Sequence, residues 1–142
     1  MARVRGRKYL KRTVTEAIAW MREQRDHPTQ SWKGLCLSSC RTAYGINPIG
    51  VSANAFWASV PKEHKHGGRV SQAPRGAIMI YSIGKYGHAV IAVGKRTNDK
   101  CMSVDYVRQG KIDAAPRSMV RWGARYLGWT DWTPYGFIDL DS

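Results

Sequence analysis

Two stretches of sequence decide the fold, His88-Ala-Val-Ile-Ala-Val93 and Met102-Ser-Val-Asp-Tyr-Val107. The first is apolar after its opening histidine, and the second alternates apolar and polar residues, as a half-buried β-strand does. Residues 94–100 between them carry glycine, asparagine and aspartate, which favour turns. We therefore predict a β-hairpin. If it is centred between Arg96 and Thr97, the numbers of opposed residues add up to 193.

This register satisfies two separate demands. It places His88 opposite Asp105, on the same face of the sheet and with Cβ atoms about 4.5–5.5 Å apart, so that Asp105 could orient the imidazole. The other face then becomes wholly apolar or aromatic. Its members are Ala89, Ile91, Val93, Met102, Val104 and Tyr106.

Upstream of the hairpin, the sequence predicts helices. Thr13 and Glu16 have the spacing of a capping box, and apolar residues recur at helical intervals until Pro28. Residues 35–44 form a second predicted helix, and a third lies around residues 53–57. Helices followed by an antiparallel sheet make an α+β domain.

The remaining segments are a loop, a strand and an aromatic tail. Residues 62–74 are expected to be a polar loop with solvated histidines, and residues 76–82 another strand. Residues 119–135 are rich in tryptophan, tyrosine and glycine and show no clear period. The length of 142 residues suits one domain, which we place at residues 13–142. Residues 1–12 hold six basic residues and no acid, which predicts a flexible basic arm.

The composition departs from the average in its charge. Twenty-three Lys and Arg residues stand against ten Asp and Glu, a net charge of +13, which favours a polyanionic partner. The apolar stretches are far too short to span a membrane, and the N-terminus lacks the apolar segment of a secretory signal. Three cysteines, an odd number, argue against a disulfide scaffold and suit a reducing compartment.

The three cysteines have different expected roles. Cys36 lies at the start of a predicted helix, where unpaired amide groups and the helix dipole favour a thiolate. Cys40 and Cys101 are expected to pack as small buried hydrophobes. A metal site built on Cys36 and Cys40 fails on spacing, because no second Cys/His pair follows. No metal or cofactor is therefore expected.

A cysteine at a helix start, together with a histidine supported by a carboxylate, is the arrangement of thiol hydrolases. In this interpretation Cys36 is the nucleophile and His88 takes the thiol proton or holds the thiolate as an ion pair. Asp105 fixes the imidazole tautomer. The amide N–H of Cys36 would supply one donor to an oxyanion hole.

Several short motifs occur in a definite order along residues 30–136. They are Trp32-x-Gly-x-Cys36-Leu-x-x-x-Arg41-x-Ala-Tyr-Gly45, Pro74-Arg-Gly-Ala-Ile78, Gly87-His88-Ala-Val-Ile-Ala, Ser103-Val-Asp105, Gly110-Lys-Ile-Asp113 and Trp122-Gly-x-x-Tyr-Leu-Gly-Trp129. In this order they resemble the NlpC/P60 and CHAP cysteine peptidase superfamily. The resemblance is strongest to the peptidase modules of actinobacterial phage endolysins.

The resemblance implies a papain-like fold with helices packed on a small antiparallel sheet. It also implies hydrolysis of an amide bond in peptidoglycan, with Cys36 as nucleophile, His88 as base and Asp105 as the orienting residue. The family varies this third position among Asp, Asn, Glu and His. The chain departs from the family in its basic arm, in Cys40 and in the lack of a separate cell-wall-binding module.

The resemblance carries expectations about place and partners. A phage endolysin or virion-associated lysin would be made in the bacterial host cytoplasm without a signal peptide and would act at the cell wall. Peptidoglycan is then the substrate. Anionic wall polymers or the membrane surface would attract the basic charge. Whether the enzyme is an amidase or an endopeptidase does not follow from the motifs.

The tryptophans give candidate substrate contacts. Trp32 lies four residues before Cys36, and Trp122 and Trp129 lie in the aromatic tail. These three are the candidate substrate-binding residues. The alternative for the tail is that its rings cover the open face of the sheet, which is the commoner role of aromatic clusters.

Two other classes of function compete with the thiol hydrolase. A basic nucleic-acid-binding or virion structural protein without catalysis would use the +13 charge and the interspersed aromatic rings directly. A glycosidase would need two carboxylates flanking a glycosidic bond. The ten acidic residues show no pairing as coherent as that of Cys36 with His88 and Asp105.

Overall fold

The computed structural model describes residues 3–94, 100–118 and 123–142. Within them the chain forms three α-helices packed on a five-stranded antiparallel sheet, which confirms the α+β class. The helices are α1 (Val14–Asp26), α2 (Cys36–Ala43) and α3 (Ala53–Ser59). The strands are β1 (Ile78–Ser82), β2 (His88–Val93), β3 (Lys100–Val104), β4 (Ile112–Pro116), β5 (Arg125–Thr130), β6 (Trp132–Thr133) and β7 (Gly136–Phe137).

The start of α1 is fixed by the capping box that the sequence predicts. The Thr13 hydroxyl accepts a hydrogen bond from the Glu16 N–H at 3.0 Å, and the Glu16 carboxylate accepts one from the Thr13 N–H. The start of α2 differs, because Leu35 at the N-cap provides no side-chain acceptor. The first N–H groups of α2, beside Cys36, are therefore left for other partners.

The sheet has the strand order β4-β3-β2-β1-β5. The pairing of β2 with β3 has the predicted register, because Ile91 lies opposite Met102, and Val93 opposite Lys100. The tip of this hairpin, residues 95–99, lies outside the described residues. Neither β4 nor β5 was expected from the sequence, because β4 contains Asp113 and Pro116 and β5 contains Gly128, residues that are uncommon within strands.

One face of the hairpin ends earlier than predicted. Asp105 has a φ of 59°, in the left-handed region, so β3 stops at Val104 and the alternation of faces is broken there. Tyr106 consequently packs on the far side of the sheet with Met79 and Val90, not with Ile91. Its expected place on the apolar face was wrong for this reason.

The sheet separates two hydrophobic clusters. The larger lies between the sheet and the helices and holds Ile18, Met21, Leu37, Cys40, Phe56, Ile80, Ile91 and Met102. The smaller covers the far face. At its edge Arg117 is fully buried, and its guanidinium donates to four backbone carbonyls, those of Val70, Ala73, Val93 and Lys100.

The described part of the basic arm is in contact with the rest of the domain. From residue 3 onward it packs along the C-terminal segment, where the Leu10 N–H donates to the Phe137 carbonyl at 2.8 Å and the Phe137 N–H to the Lys8 carbonyl at 2.9 Å. Arg3 pairs with Asp139 at 3.0 Å. Leu10 is buried, and Tyr9 forms a parallel bridge with Phe137 in β7, so this part of the arm packs on the domain.

The segment 62–74 is also more ordered than a polar loop. It contains 3₁₀ turns at Lys62–His64 and Val70–Gln72. The His66 ring stacks on Trp129 with 4.2 Å between ring centroids, and the edge of the His64 ring meets Phe137 at 4.8 Å. The expectation that both histidines are solvated was therefore wrong.

Candidate active site

Cys36, His88 and Asp105 line one cleft of about 670 Å³. Each comes from a different element: the first residue of α2, the first residue of β2 and the residue after β3. The hairpin and the helix packed on it therefore bring the three predicted catalytic residues to one surface depression.

The hydrogen bonds of Asp105 differ from those predicted. Its carboxylate accepts from the Gly34 N–H at 2.7 Å and from the Gly110 N–H. Gly110 in turn accepts a hydrogen bond from the Trp32 N–H at 2.9 Å. Asp105 therefore fixes the loop that leads into Cys36, and this role replaces the expected hydrogen bond to the imidazole.

His88 has a different hydrogen-bonding partner, the hydroxyl of Ser103 on β3. The Ser103 hydroxyl is also within 3.3 Å of the Val104 carbonyl, to which it donates. These two contacts are compatible with an imidazole that donates from Nε2 to Ser103 and keeps the lone pair of Nδ1. A neutral imidazole in this tautomer can accept a proton at Nδ1.

Burial keeps His88 neutral. It lowers the pKa of the imidazole from its ordinary value of 6.5 to about 4, and the negative charge of Asp105 opposes the shift. The charged form is disfavoured because a half-buried cation loses hydration that this site does not replace. At neutral pH His88 is therefore uncharged, the form of imidazole that can accept a proton.

Burial also raises the pKa of the Cys36 thiol. The backbone N–H groups of Ala89, Leu37 and Cys36 itself oppose this shift, while the charge of Asp105 adds to it. Desolvation thus outweighs the amide groups at the helix start, which favours a neutral thiol and, of the two expected roles of His88, the one in which it takes the thiol proton. The cleft then holds a neutral thiol and a neutral imidazole.

Cys40 and Cys101 are fully buried, as predicted for packing cysteines. Burial raises the pKa of Cys40 far above its usual range and that of Cys101 to about 12. The Sγ atom of Cys101 lies 3.8 Å from the Pro116 carbonyl. Neither thiol has the exposure that a nucleophile needs.

The candidate substrate-binding tryptophans do not lie at this cleft. Trp32 is only 4% exposed, and its indole N–H donates to Gln24 at 3.0 Å while its ring meets the edge of Trp20. It is a core residue, because the loop before α2 folds inward over α1. Trp129 lies on β5, where its ring stacks on His66. β5 is an edge strand of the sheet and is separated from β3 by β2 and β1. Trp122 lies outside the described residues.

The hydrogen-bonding partner of His88 and the apolar lining of the cleft were not predicted from the sequence. Ser103 was hidden because it occupies an ordinary polar position of an alternating strand. Ile49, Val51 and Tyr86 line the cleft and are 81%, 49% and 64% exposed. For Ile49 and Val51, the available signal was the presence of large apolar residues in a loop between two helices.

The described residues offer no site for a metal ion, since no three His, Cys, Asp or Glu side chains among them come together. Within the same residues, no helix is long and apolar enough to cross a membrane. The chain matches no protein-family model, no curated protein and no solved structure.

Proposed function

We propose that this protein is a cysteine hydrolase with a papain-like fold of the NlpC/P60 and CHAP type. Its substrate would be an amide bond in peptidoglycan, and it would act as a phage endolysin or a virion-associated lysin. The observation that carries the proposal is the single cleft in which Cys36, His88 and Asp105 meet. The ordered motifs support the choice of peptidoglycan.

The proposed reaction begins with proton transfer. Nδ1 of the neutral His88 accepts the Cys36 proton as the sulfur attacks the carbonyl carbon, so the imidazolium and the tetrahedral oxyanion form together with the new sulfur–carbon bond. The N–H of Cys36 donates to the oxyanion. The imidazolium then protonates the leaving amine, and water attacks the thioester with His88 again as base.

Two neighbours support this reaction by positioning Cys36 and His88. Ser103 holds the imidazole tautomer by accepting from Nε2. Asp105 holds the loop that carries Cys36. The negative charge of Asp105 also favours the imidazolium that forms during the reaction.

Purified peptidoglycan tests the proposal with two matched variants on the same helix. We expect Cys36→Ala to abolish the loss of turbidity of purified cell walls, because the nucleophile is removed. Cys40→Ala, one turn deeper, should retain most of the activity. Circular dichroism establishes that both variants are folded. Full activity of Cys36→Ala would overturn the mechanism.

The competing function is nucleic-acid binding, which the +13 charge favours. It is tested by measuring whether the pure protein binds DNA or RNA at physiological salt. Tight binding combined with no effect on purified cell walls would favour this alternative over hydrolysis.

A further inference from the structure

The cleft around Cys36 has an apolar wall. Of the large apolar residues that are well exposed among the described residues, four line this one cleft, although exposed apolar side chains are usually scattered singly. These residues, which we call the apolar wall, are Leu35, Ile49, Val51 and Tyr86.

Hydrogen bonds from Arg41 and Asn54 fix the backbone that carries the apolar wall. Arg41 is only 6% exposed, and its guanidinium donates to the Ile49 carbonyl at 3.2 Å and reaches the Asn47 carbonyl at 3.5 Å. A Cβ at Gly50 would lie 2.4 Å from this guanidinium, so the loop packs directly on it. On the other side, the Asn54 N–H donates to the Tyr86 carbonyl at 2.9 Å. The exposed side chains are thus presented on a fixed backbone.

The charge of the cleft is opposite to that of the molecule. No lysine or arginine is among the described residues that line it, in a chain with 23 of them. Its fixed charge is the carboxylate of Asp105. Lys85 does not line the cleft, and its ammonium lies 5.5 Å from the centre of the Tyr86 ring. A carboxylate bound beside Cys36 would meet Asp105, and no lining side chain would supply a cation to compensate it.

We propose that this cleft binds an amide bond flanked by uncharged aliphatic groups and discriminates against a carboxylate next to the bond. The identity of the amide as one in peptidoglycan rests on the proposed function. The wall would take the methyl groups of lactyl and alanyl units. Asp105 would repel fragments in which a neighbouring glutamate keeps its free α-carboxylate and would tolerate those in which it is amidated.

Binding to the Cys36→Ala protein tests this without turnover. The probes are two muramoyl dipeptides, N-acetylmuramoyl-L-alanyl-D-glutamate with both carboxyls amidated and the same compound with a free α-carboxylate. We expect the neutral probe to bind at least about tenfold more tightly in calorimetry. Equal affinity, tighter binding of the anionic probe, or no binding of either one at millimolar concentration would overturn the inference.

Further substitutions in the Cys36→Ala protein test which residues cause the preference for the neutral probe. Ile49→Ser and Tyr86→Ser should each weaken binding of the neutral probe about tenfold. Tyr135→Ser, an exposed tyrosine away from the cleft, is the matched control and should change nothing. Asp105→Asn should bring the affinity ratio of the two probes towards one, and this ratio is insensitive to a uniform loss of affinity. An unchanged ratio would contradict the role of Asp105.

The test of this binding preference and the test of the proposed hydrolase function can fail independently of each other. If the wild-type protein hydrolyses no peptidoglycan but Cys36→Ala binds the probes with the expected preference, the cleft is a recognition site and the hydrolase proposal fails. If hydrolysis occurs without preference, the hydrolase proposal stands and the specificity inference fails.

Discussion

The buried imidazole of His88 sets the pH range of the proposed reaction. A base must be unprotonated to accept the thiol proton, and the pKa of His88 is about 4 in the folded protein. Activity should therefore be present above that pH and be lost as the pH falls through it. If His88 kept the ordinary histidine pKa of 6.5, the protein would already lose half its activity at pH 6.5.

The initial rate on a soluble peptidoglycan fragment, measured from pH 3 to 9, checks this prediction. We expect one acidic limb near pH 4 and no loss of rate from pH 6 to 9, because the resting site holds neutral groups. Circular dichroism at each pH excludes unfolding. A bell-shaped profile that falls again above neutrality would indicate a resting ion pair and contradict the account.

Ser103 gives a second prediction at the scale of one residue. Ser103→Ala removes the acceptor of the Nε2 hydrogen, so the imidazole loses its fixed tautomer and orientation. We expect kcat to fall about tenfold or more while KM stays the same. Ser59→Ala is the control, since that hydroxyl only donates to the Phe56 carbonyl at the end of α3. A rise in KM with unchanged kcat would place Ser103 in substrate binding instead.

Trp32 gives a prediction at the scale of the loop before α2. The indole joins this loop to α1 through Gln24, whose Oε1 atom also accepts from Thr29 at 3.1 Å. Trp32→Phe keeps most of the packing and removes one buried hydrogen bond, at a cost of about 1 kcal/mol. The melting temperature should fall by about 3 °C with kcat/KM unchanged. A higher KM at an unchanged melting temperature would restore Trp32 as a substrate contact.

The hairpin of β2 and β3 was predictable because two constraints acted on the same register. The alternation of β3 and the need to bury Ile91 and Met102 on one face leave one register, because a slip of one residue would turn the apolar side chains of one strand to the other face. Asp105 was not predictable in the same way. The backbone turns there into a left-handed conformation, and nothing local in the sequence indicates it.

The arm and Trp32 show a different limit of sequence reasoning. Six basic residues without an acid predict a solvated arm, but the arm docks because Phe137 and Asp139 provide backbone and charged partners more than a hundred residues away. Trp32 was placed at the substrate by its nearness to Cys36 along the chain. Contacts between residues far apart in the chain determine the positions of both the arm and Trp32, and local composition does not predict such contacts.

At the scale of the whole molecule, the chain has a net charge of +13, but no lysine or arginine is among the described residues that line the cleft. In the proposed function, long-range attraction to anionic wall polymers brings the enzyme to its substrate. Salt shortens the range of that attraction, from about 10 Å at 0.1 M to about 3 Å at 1 M.

We therefore predict a difference in salt dependence between two substrates. Raising the salt from about 0.1 to 1 M should lower the activity on whole cells strongly and leave the activity on small soluble fragments nearly unchanged. The ratio of the two rates is the quantity to measure. Equal loss on both substrates would mean that salt acts on the cleft or on the fold, and that the charge has no role in targeting.

The central claim is that Cys36 cleaves an amide bond in peptidoglycan. Mass spectrometry of the soluble products from a peptidoglycan of known structure tests it most directly. The account predicts fragments with one new amine and one new carboxylate from the wild-type protein and no fragments from folded Cys36→Ala. New reducing sugar ends, or the same fragments from Cys36→Ala, would contradict it.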